Sequence, residues 1–391
     1  MNDSQITDAS IPFIHQFSAT EYTLWFVVYG LIAFGAVVGN LLVIYIISTR
    51  KIMQNVPNYF IVNLAVADCI TGLIAVPFKF QAVLQQQWTL PHFMCQLLPF
   101  IEALSLSVSV FTLTGGAIDR FILVMVSSGN KMSRKTAFLT ICFIWLFSTA
   151  CSAPFGLFHK ATAWLGYRLL SDNETSLYPE DLVVWRCLPI YMTSPYWRWY
   201  NIYLTIITYF VPLIIIDVAY SVIATRVWRT ESNRGCRQAQ SDRKRVIKLL
   251  VLVVILFTFC WFPYEMYLLL CEVTPWINEY YYINVVFMCL HCLAMSNSCL
   301  NPIIYGVFNQ KFRREYKRLI DRIRHKQTLV TMMRSMRRPE NLVFGMGLQS
   351  ELLTAQRAHD INQNNLTAAA ATANNNNGDT TADFIAGELG R

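Results

Sequence analysis

The sequence predicts an all-α membrane protein: a seven-transmembrane helix bundle with a short amphipathic cytosolic helix behind it. Three observations carry this. Seven apolar stretches divide the first 308 residues, each long enough for a hydrocarbon core that needs about 20 residues of helix. The chain is 54% hydrophobic and only 14% charged, which excludes a soluble domain. The net charge of +8 is concentrated in alternate connections, the pattern that orients a membrane protein.

The spans are Leu24–Ile47, Tyr59–Ala82, Met94–Val126, Ala137–Phe158, Ile202–Val227, Val246–Cys271 and Tyr281–Phe308. Arg50 and Lys51, then Lys131, Arg134 and Lys135, then the run from Arg226 to Lys248, and finally Lys311, Arg313 and Arg314 mark one side as cytosolic. Asp3, Asp8, Glu21, Asp172, Glu174, Glu272 and Glu279 fall on the other. Residues 1–23 are therefore expected outside and the C-terminus inside, at the plasma membrane. The first twenty residues hold no apolar core, so the first span serves as its own insertion signal. Asn2 and Asn173 head glycosylation triplets on the outer face; Asn365 heads another that stays bare on the inner one.

Residues 309–325 form an amphipathic basic helix, with Phe308, Phe312, Tyr316 and Leu319 at helical spacing, expected to lie on anionic membrane lipid. From 326 to 391 the periodicity fades into Asn-rich and Ala/Thr-rich sequence too poor in apolar surface to order itself. Of eleven cysteines, Cys95 at the top of the third span and Cys187 in the loop before the fifth stand on the oxidising outer face, which predicts their pairing. Cys289, His291 and Cys292 suggest zinc, but a membrane helix brings no fourth ligand near.

Ionisable groups inside spans are costly and usually functional. Asp68, with Ser109, Asn297, Ser298 and Asn301 at comparable depth, offers hard oxygen donors for a sodium ion, or else a hydrogen-bonded cluster joining helices. No other cofactor is required. Asp119 and Arg120 end the third span as an adjacent ion pair. Glu102 shares a helical face with Leu106, Ser109 and Val110. Glu265 shares one with Phe257, Trp261 and Leu268, and His291 one with Met295, Ser298, Pro302 and Tyr305. These faces converge on an outer cavity whose two carboxylates suit a cationic ligand group, unless Lys79, high on the second span, neutralises Glu102. Asp217 has no evident role. Pro77, Pro154, Pro212, Pro263 and Pro302 interrupt helices and permit kinks. The aromatic loop before the fifth span, with Trp164, Trp185, Trp197 and Trp199, suits peptide contact.

Taken in order, Gly39-Asn40, Asp68, Cys95, Asp119-Arg120-Phe121, Trp145, Pro212 with Tyr220, Cys260-Trp261-Phe262-Pro263 and Asn301-Pro302-Ile303-Ile304-Tyr305 resemble the rhodopsin-like G-protein-coupled receptors across roughly residues 24–324. The stretches 80–84, 88–95, 103–105, 108–114, 277–280 and 293–299 are similar to the invertebrate kinin receptors, with tachykinin and neuropeptide Y-like receptors close by. The resemblance implies a short amidated extracellular neuropeptide, a calcium-mobilising heterotrimeric G protein, and arrestin and a receptor kinase as further partners. It implies no nucleic acid. It also implies a relay through Val110, Pro212, Phe257 and Trp261, with Arg120 leaving Asp119 to meet Tyr220 and Tyr305. Glu102 and Glu265 stand where kinin receptors more often carry glutamine, which argues for a more basic peptide.

Other functions fit less well. Retinal would need a lysine in the seventh span, which has none. A biogenic-amine receptor would use Glu102, but Leu204 and Thr205 stand where catechol-reading serines belong. An ion-coupled transporter would show repeats or broken helices. No nucleophile–base set supports an enzyme.

Overall fold

The computed structural model describes residues 15–125, 132–165, 168–169, 183–191, 194–229 and 237–336. Asn2, Asn173, Cys236, Asn365 and the tail beyond residue 336 lie outside them. The chain divides into two compact units, Met1–Tyr316 and Lys317–Arg391. The first holds the bundle; of the second, residues 317–336 are helical.

Among the described residues seven helices are long and apolar enough to cross a membrane. They are α1 (Ala19–Thr49), α2 (Val56–Leu84), α3 (His92–Met125), α4 (Arg134–Phe158), α5 (Pro195–Thr205, continued by Val211–Arg229), α6 (Arg237–Val273) and α7 (Ile283–Phe308). Three begin before the expected apolar edge because a polar residue caps them. The Ser18 hydroxyl accepts from the Glu21 amide while Glu21 reaches back to the Ser18 amide, and Asn55 and Ser133 cap α2 and α4 through the Asn58 and Thr136 amides. The outer surface is one that water would not tolerate: Phe34, Phe143 and Leu146 are 67%, 66% and 72% exposed. Such side chains face lipid.

Two of the five expected proline interruptions take a specific form. The turns before Pro77 and Pro212 open into π-helix at Thr71–Ala75 and Ile206–Phe210. Proline lacks the amide that an α turn requires, and the wider turn relieves its ring against the preceding carbonyl. Pro154, Pro263 and Pro302 lie inside continuous helices, as does Pro99 of α3, which the sequence reading passed over. At the α1–α2 crossing, a Cβ on Gly72 would stand 2.8 Å from the Ala36 Cβ. Gly72→Val is therefore expected to lower stability by about 1–3 kcal/mol, while Gly30→Ala, with nothing within 4 Å, is tolerated. Thermal unfolding of the detergent-solubilised protein separates the two.

Between α4 and α5 the chain is not helical, which the all-α expectation missed. Strands β1 (His159–Leu165), β2 (Arg168–Leu169) and β3 (Val184–Pro189) form an antiparallel sheet in the order β2-β1-β3, with Cys187 opposite Ala161. Alternating small and β-branched residues in Ala161-Thr162-Ala163 suit a strand. Trp197 and Trp199 belong to the first turns of α5 rather than to the loop, because Ser194-Pro195 starts the helix there. Trp197 is buried against Phe155, Phe158 and Tyr200.

Ahead of α1, His15 is tied across the bundle's end. Its amide donates to the Tyr281 carbonyl at 2.9 Å, and its carbonyl accepts from Gln86 Nε2 at 2.7 Å and Asn284 Nδ2 at 2.6 Å. At the opposite end α8 (Gln310–Met336) follows α7. It runs past His325, where the sequence reading ended it, because no proline or glycine intervenes before Pro339. Phe312 is fully buried and stacks on Tyr305, while Phe308, assigned to the same apolar face, is 48% exposed at the end of α7. Glu315, buried, is paired to Arg50 Nε at 2.8 Å.

Candidate functional site

The half of the bundle nearest His15 holds a charged chamber inside an aromatic cluster. Glu102 of α3 is its centre. Its Oε2 lies 3.0 Å from Lys79 Nζ of α2, and its Oε1 accepts from the Tyr264 hydroxyl of α6 at 3.0 Å. His291 Nε2 of α7 stands 3.6 Å from the same oxygen. Behind it, the Tyr29 hydroxyl of α1 is 2.9 Å from His291 Nδ1. The same hydroxyl lies 3.1 Å from the Met288 carbonyl, so its one proton serves either that oxygen or Nδ1. Four helices besides α3 thus converge on one carboxylate.

Lys79, one of the two partners the sequence left open for Glu102, is paired to it. Rings shield the pair: Lys79 Nζ sits 5.8 Å from the Phe287 centroid, and Phe287 stacks on His291. Glu265, adjacent to Tyr264, is buried at 4% exposure and has no hydrogen-bond or ion-pair partner among the described residues. Trp261 lies beneath, 6.2 Å from both Phe257 and Tyr264, with its indole nitrogen unpartnered. Leu106 and Leu268 pack on the same apolar cluster.

Lys79, Glu102 and His291 lie together, Trp261 joins them through Tyr264, and Leu106 and Leu268 pack on the same apolar cluster, whereas Trp185 has its contacts elsewhere. It lies on β3 with its ring 4.8 Å from His92 and its carbonyl accepting from the Trp88 amide at 2.7 Å. Tyr29 and Tyr264 are the members that sequence reasoning missed. Tyr264 is one helical step from Trp261, a signal that was there to use; Tyr29 sits in a uniformly apolar span that gives none. Cys95 of α3 is bonded to Cys187 of β3, holding the sheet to the end of α3.

Deeper, Asn301 Nδ2 donates to Asp68 Oδ2 at 2.9 Å, and Ser109, Asn297 and Ser298 are all buried. Nearby, Asn63 donates to Thr112 Oγ1 at 2.7 Å and accepts from Trp145 Nε1 at 2.8 Å, joining α2, α3 and α4. Among the described residues no three His, Cys, Asp or Glu side chains gather for a metal. Cys289 is exposed while His291 is buried, so the zinc triplet points to different sides of α7. Between the chamber and the opposite end of the bundle lie Val110, Phe257 and Tyr209, all fully or almost fully buried, beside Pro212. At that opposite end Arg120 lies 3.4 Å from Asp119, and Tyr220 packs against Ala117, Ile216 and Val254. Tyr305 is engaged with Phe312 rather than with Arg120.

The sequence matches the family model described as 7 transmembrane receptor (rhodopsin family) over residues 39–305. Similar proteins include the Tachykinin-like peptides receptor 99D of Drosophila melanogaster, 36% identical over 75% of this chain. The Substance-P receptor of Cavia porcellus is 29% identical over 76% of it, and the Tachykinin-like peptides receptor 86C of Drosophila melanogaster 28% over 77%. The chain spans 56%, 71% and 59% of those relatives' own lengths. With the family match, the ordered motifs and seven apolar helices in one bundle, the protein is a multi-pass membrane protein of the rhodopsin family of seven-transmembrane receptors.

Proposed function

We infer that the chain is a plasma-membrane receptor for a short amidated neuropeptide with a basic residue, its N-terminus outside and its C-terminus in the cytosol. It passes occupancy to a heterotrimeric G protein of the calcium-mobilising class, with arrestin and a receptor kinase acting afterwards and membrane lipid under α8. The names of the relatives support a peptide ligand. The observation that carries the reading is the chamber itself. A carboxylate held by Lys79 and a second buried carboxyl, Glu265, with no ion pair among the described residues, lie on the α3 and α6 faces of this half of the bundle, which supports a ligand carrying a positive or hydrogen-bonding group. Engagement of Glu102 by Lys79 weighs against an amine receptor, which would need that carboxylate for its ammonium. The same engagement makes Lys79 and His291 contributors to ligand selection through Glu102.

Downstream, the reading runs through Trp261 and Phe257 to the Asp119–Arg120 pair. A ligand that binds one arrangement of α6 better than another shifts the balance between them. Asp68 with Ser109, Asn297, Ser298 and Asn301 fits a sodium ion by donor chemistry: one carboxylate and neutral oxygens, all buried. Asn2 and Asn173 carry glycans in this reading.

In cells expressing the full chain, basic amidated peptides are expected to raise cytosolic calcium. Glu102→Gln is expected to reduce potency about tenfold or more, with Glu102→Asp losing much less. Equal potency of both variants and wild type, at matched surface levels, would refute the carboxylate's role.

A further inference from the structure

The first turns of α8 are committed to the bundle. Phe312 is fully buried, and the Tyr316 hydroxyl donates to the Pro302 carbonyl at 3.3 Å. Beyond Tyr316 the helix continues to Met336. At 1.5 Å per residue that stretch is about 30 Å long. Its first apolar side chains are open, with Ile320 and Ile323 49% and 58% exposed. Its charge is almost all of one sign: Lys317, Arg318, Arg322, Arg324, Lys326 and Arg334 against Asp321.

A basic amphipathic helix meets either an anionic lipid surface or the groove of an acidic helix-binding protein. The order of residues separates the two. Leu319, Ile323 and Val330 follow one another at four and seven residues, the spacing of a single apolar row. Lys326 falls in that row, three after Ile323 and four before Val330, and Arg334 follows Val330 by four. A helix lying on a bilayer keeps its cations on the face turned to water. Lipid beneath this row would have to take Lys326 and Arg334 with it, which is costly. Nor does the segment have a covalent hold on lipid. Between Cys299 and Arg391 no cysteine offers a site for an acyl chain, and one basic helix without an acyl chain binds membrane reversibly.

A protein that encircles the helix meets neither difficulty. Ile323 and Met336 stand thirteen residues apart, about 20 Å along the axis, so each serves a separate groove, with Val330 between them. Cations distributed around the helix then find carboxylates on the groove rims. Calcium-loaded EF-hand sensors present this chemistry: acidic lobes, each opened into a Met-rich apolar groove.

We propose that residues 317–336 are a docking helix for an acidic, two-lobed EF-hand calcium sensor in its calcium-loaded form. Where the chain raises cytosolic calcium, its own signal brings the sensor to its tail. The test uses the full chain in nanodiscs of neutral lipid, with fluorescently labelled calmodulin as the probe and anisotropy as the readout. Discs leave both faces open, so the outcome is independent of the orientation and G protein inferred above. Saturable binding is expected in calcium and is lost in chelator. Ile323→Asn with Val330→Asn, which leaves every charge in place, is expected to weaken it at least tenfold. Arg324→Gln with Lys326→Gln is expected to weaken it and to flatten its salt dependence. Binding of the Ile323, Val330 variant at wild-type strength, or binding that ignores calcium, overturns the proposal. So does binding abolished by phosphatidylserine in the discs, which assigns the segment to lipid. Should the substituted chain fail to purify, the wild-type comparison of calcium with chelator decides, and no calcium-dependent binding there overturns the proposal equally.

Discussion

Lys79→Leu is expected to destabilise the protein by about 3–5 kcal/mol, the cost of stranding a buried charge. Glu102 has its side chain 15% exposed, with one oxygen on Lys79 and the other on Tyr264 and facing His291. Without the ammonium, the Tyr264 hydroxyl and His291 are left to hold an anion inside a ring of aromatic side chains. Adding Glu102→Gln to Lys79→Leu is expected to recover most of the loss, because the pair is removed together and the shape is nearly kept. The coupling is read from a double-mutant cycle on thermal unfolding in detergent. If the double variant is as unstable as Lys79→Leu, charge is not what holds this corner of the bundle and the chamber argument fails with it.

Loss of the Cys95–Cys187 bond is expected to be of similar size. The bond closes a separation of 92 residues. The entropy of such a loop corresponds to about 4–5 kcal/mol. That is an upper limit, because α3 and α4 inside the loop stay helical in lipid even when the bundle comes apart. Cys95→Ser, Cys187→Ser and the double variant are expected to lose thermal stability and surface delivery to the same extent, since each deletes one and the same constraint. A double variant clearly worse than either single would mean that each sulfur contributes packing of its own, which the full burial of Cys95 makes the competing account.

The bundle was legible because bilayer thickness acts on length and composition alone, and the seven apolar runs needed nothing else. The helix ends were legible only to within a turn or two. Ser18, Asn55 and Ser133 are polar, so an apolar scan stops short of the caps that begin the helices. The approach of His291 to Glu102 followed from helical spacing, because buried polar residues in lipid have few faces to choose from. Whether Glu102 met Lys79 did not follow, since that contact depends on how α2 rotates past its π turn at Thr71–Ala75. The sheet between α4 and α5 was hidden for a related reason. A short pairing held by one disulfide leaves little alternation to read, and tryptophans on either side of the α5 start look alike in sequence.

The strap at His15 bears on how this protein can be watched at work. Its peptide group is clasped by residues from the far end of α2 and the near end of α7, so a reporter attached there rides on those two helices. A dye or antibody fragment at this point would register the mouth widening or narrowing, where the same label on a free arm would record only its own tumbling.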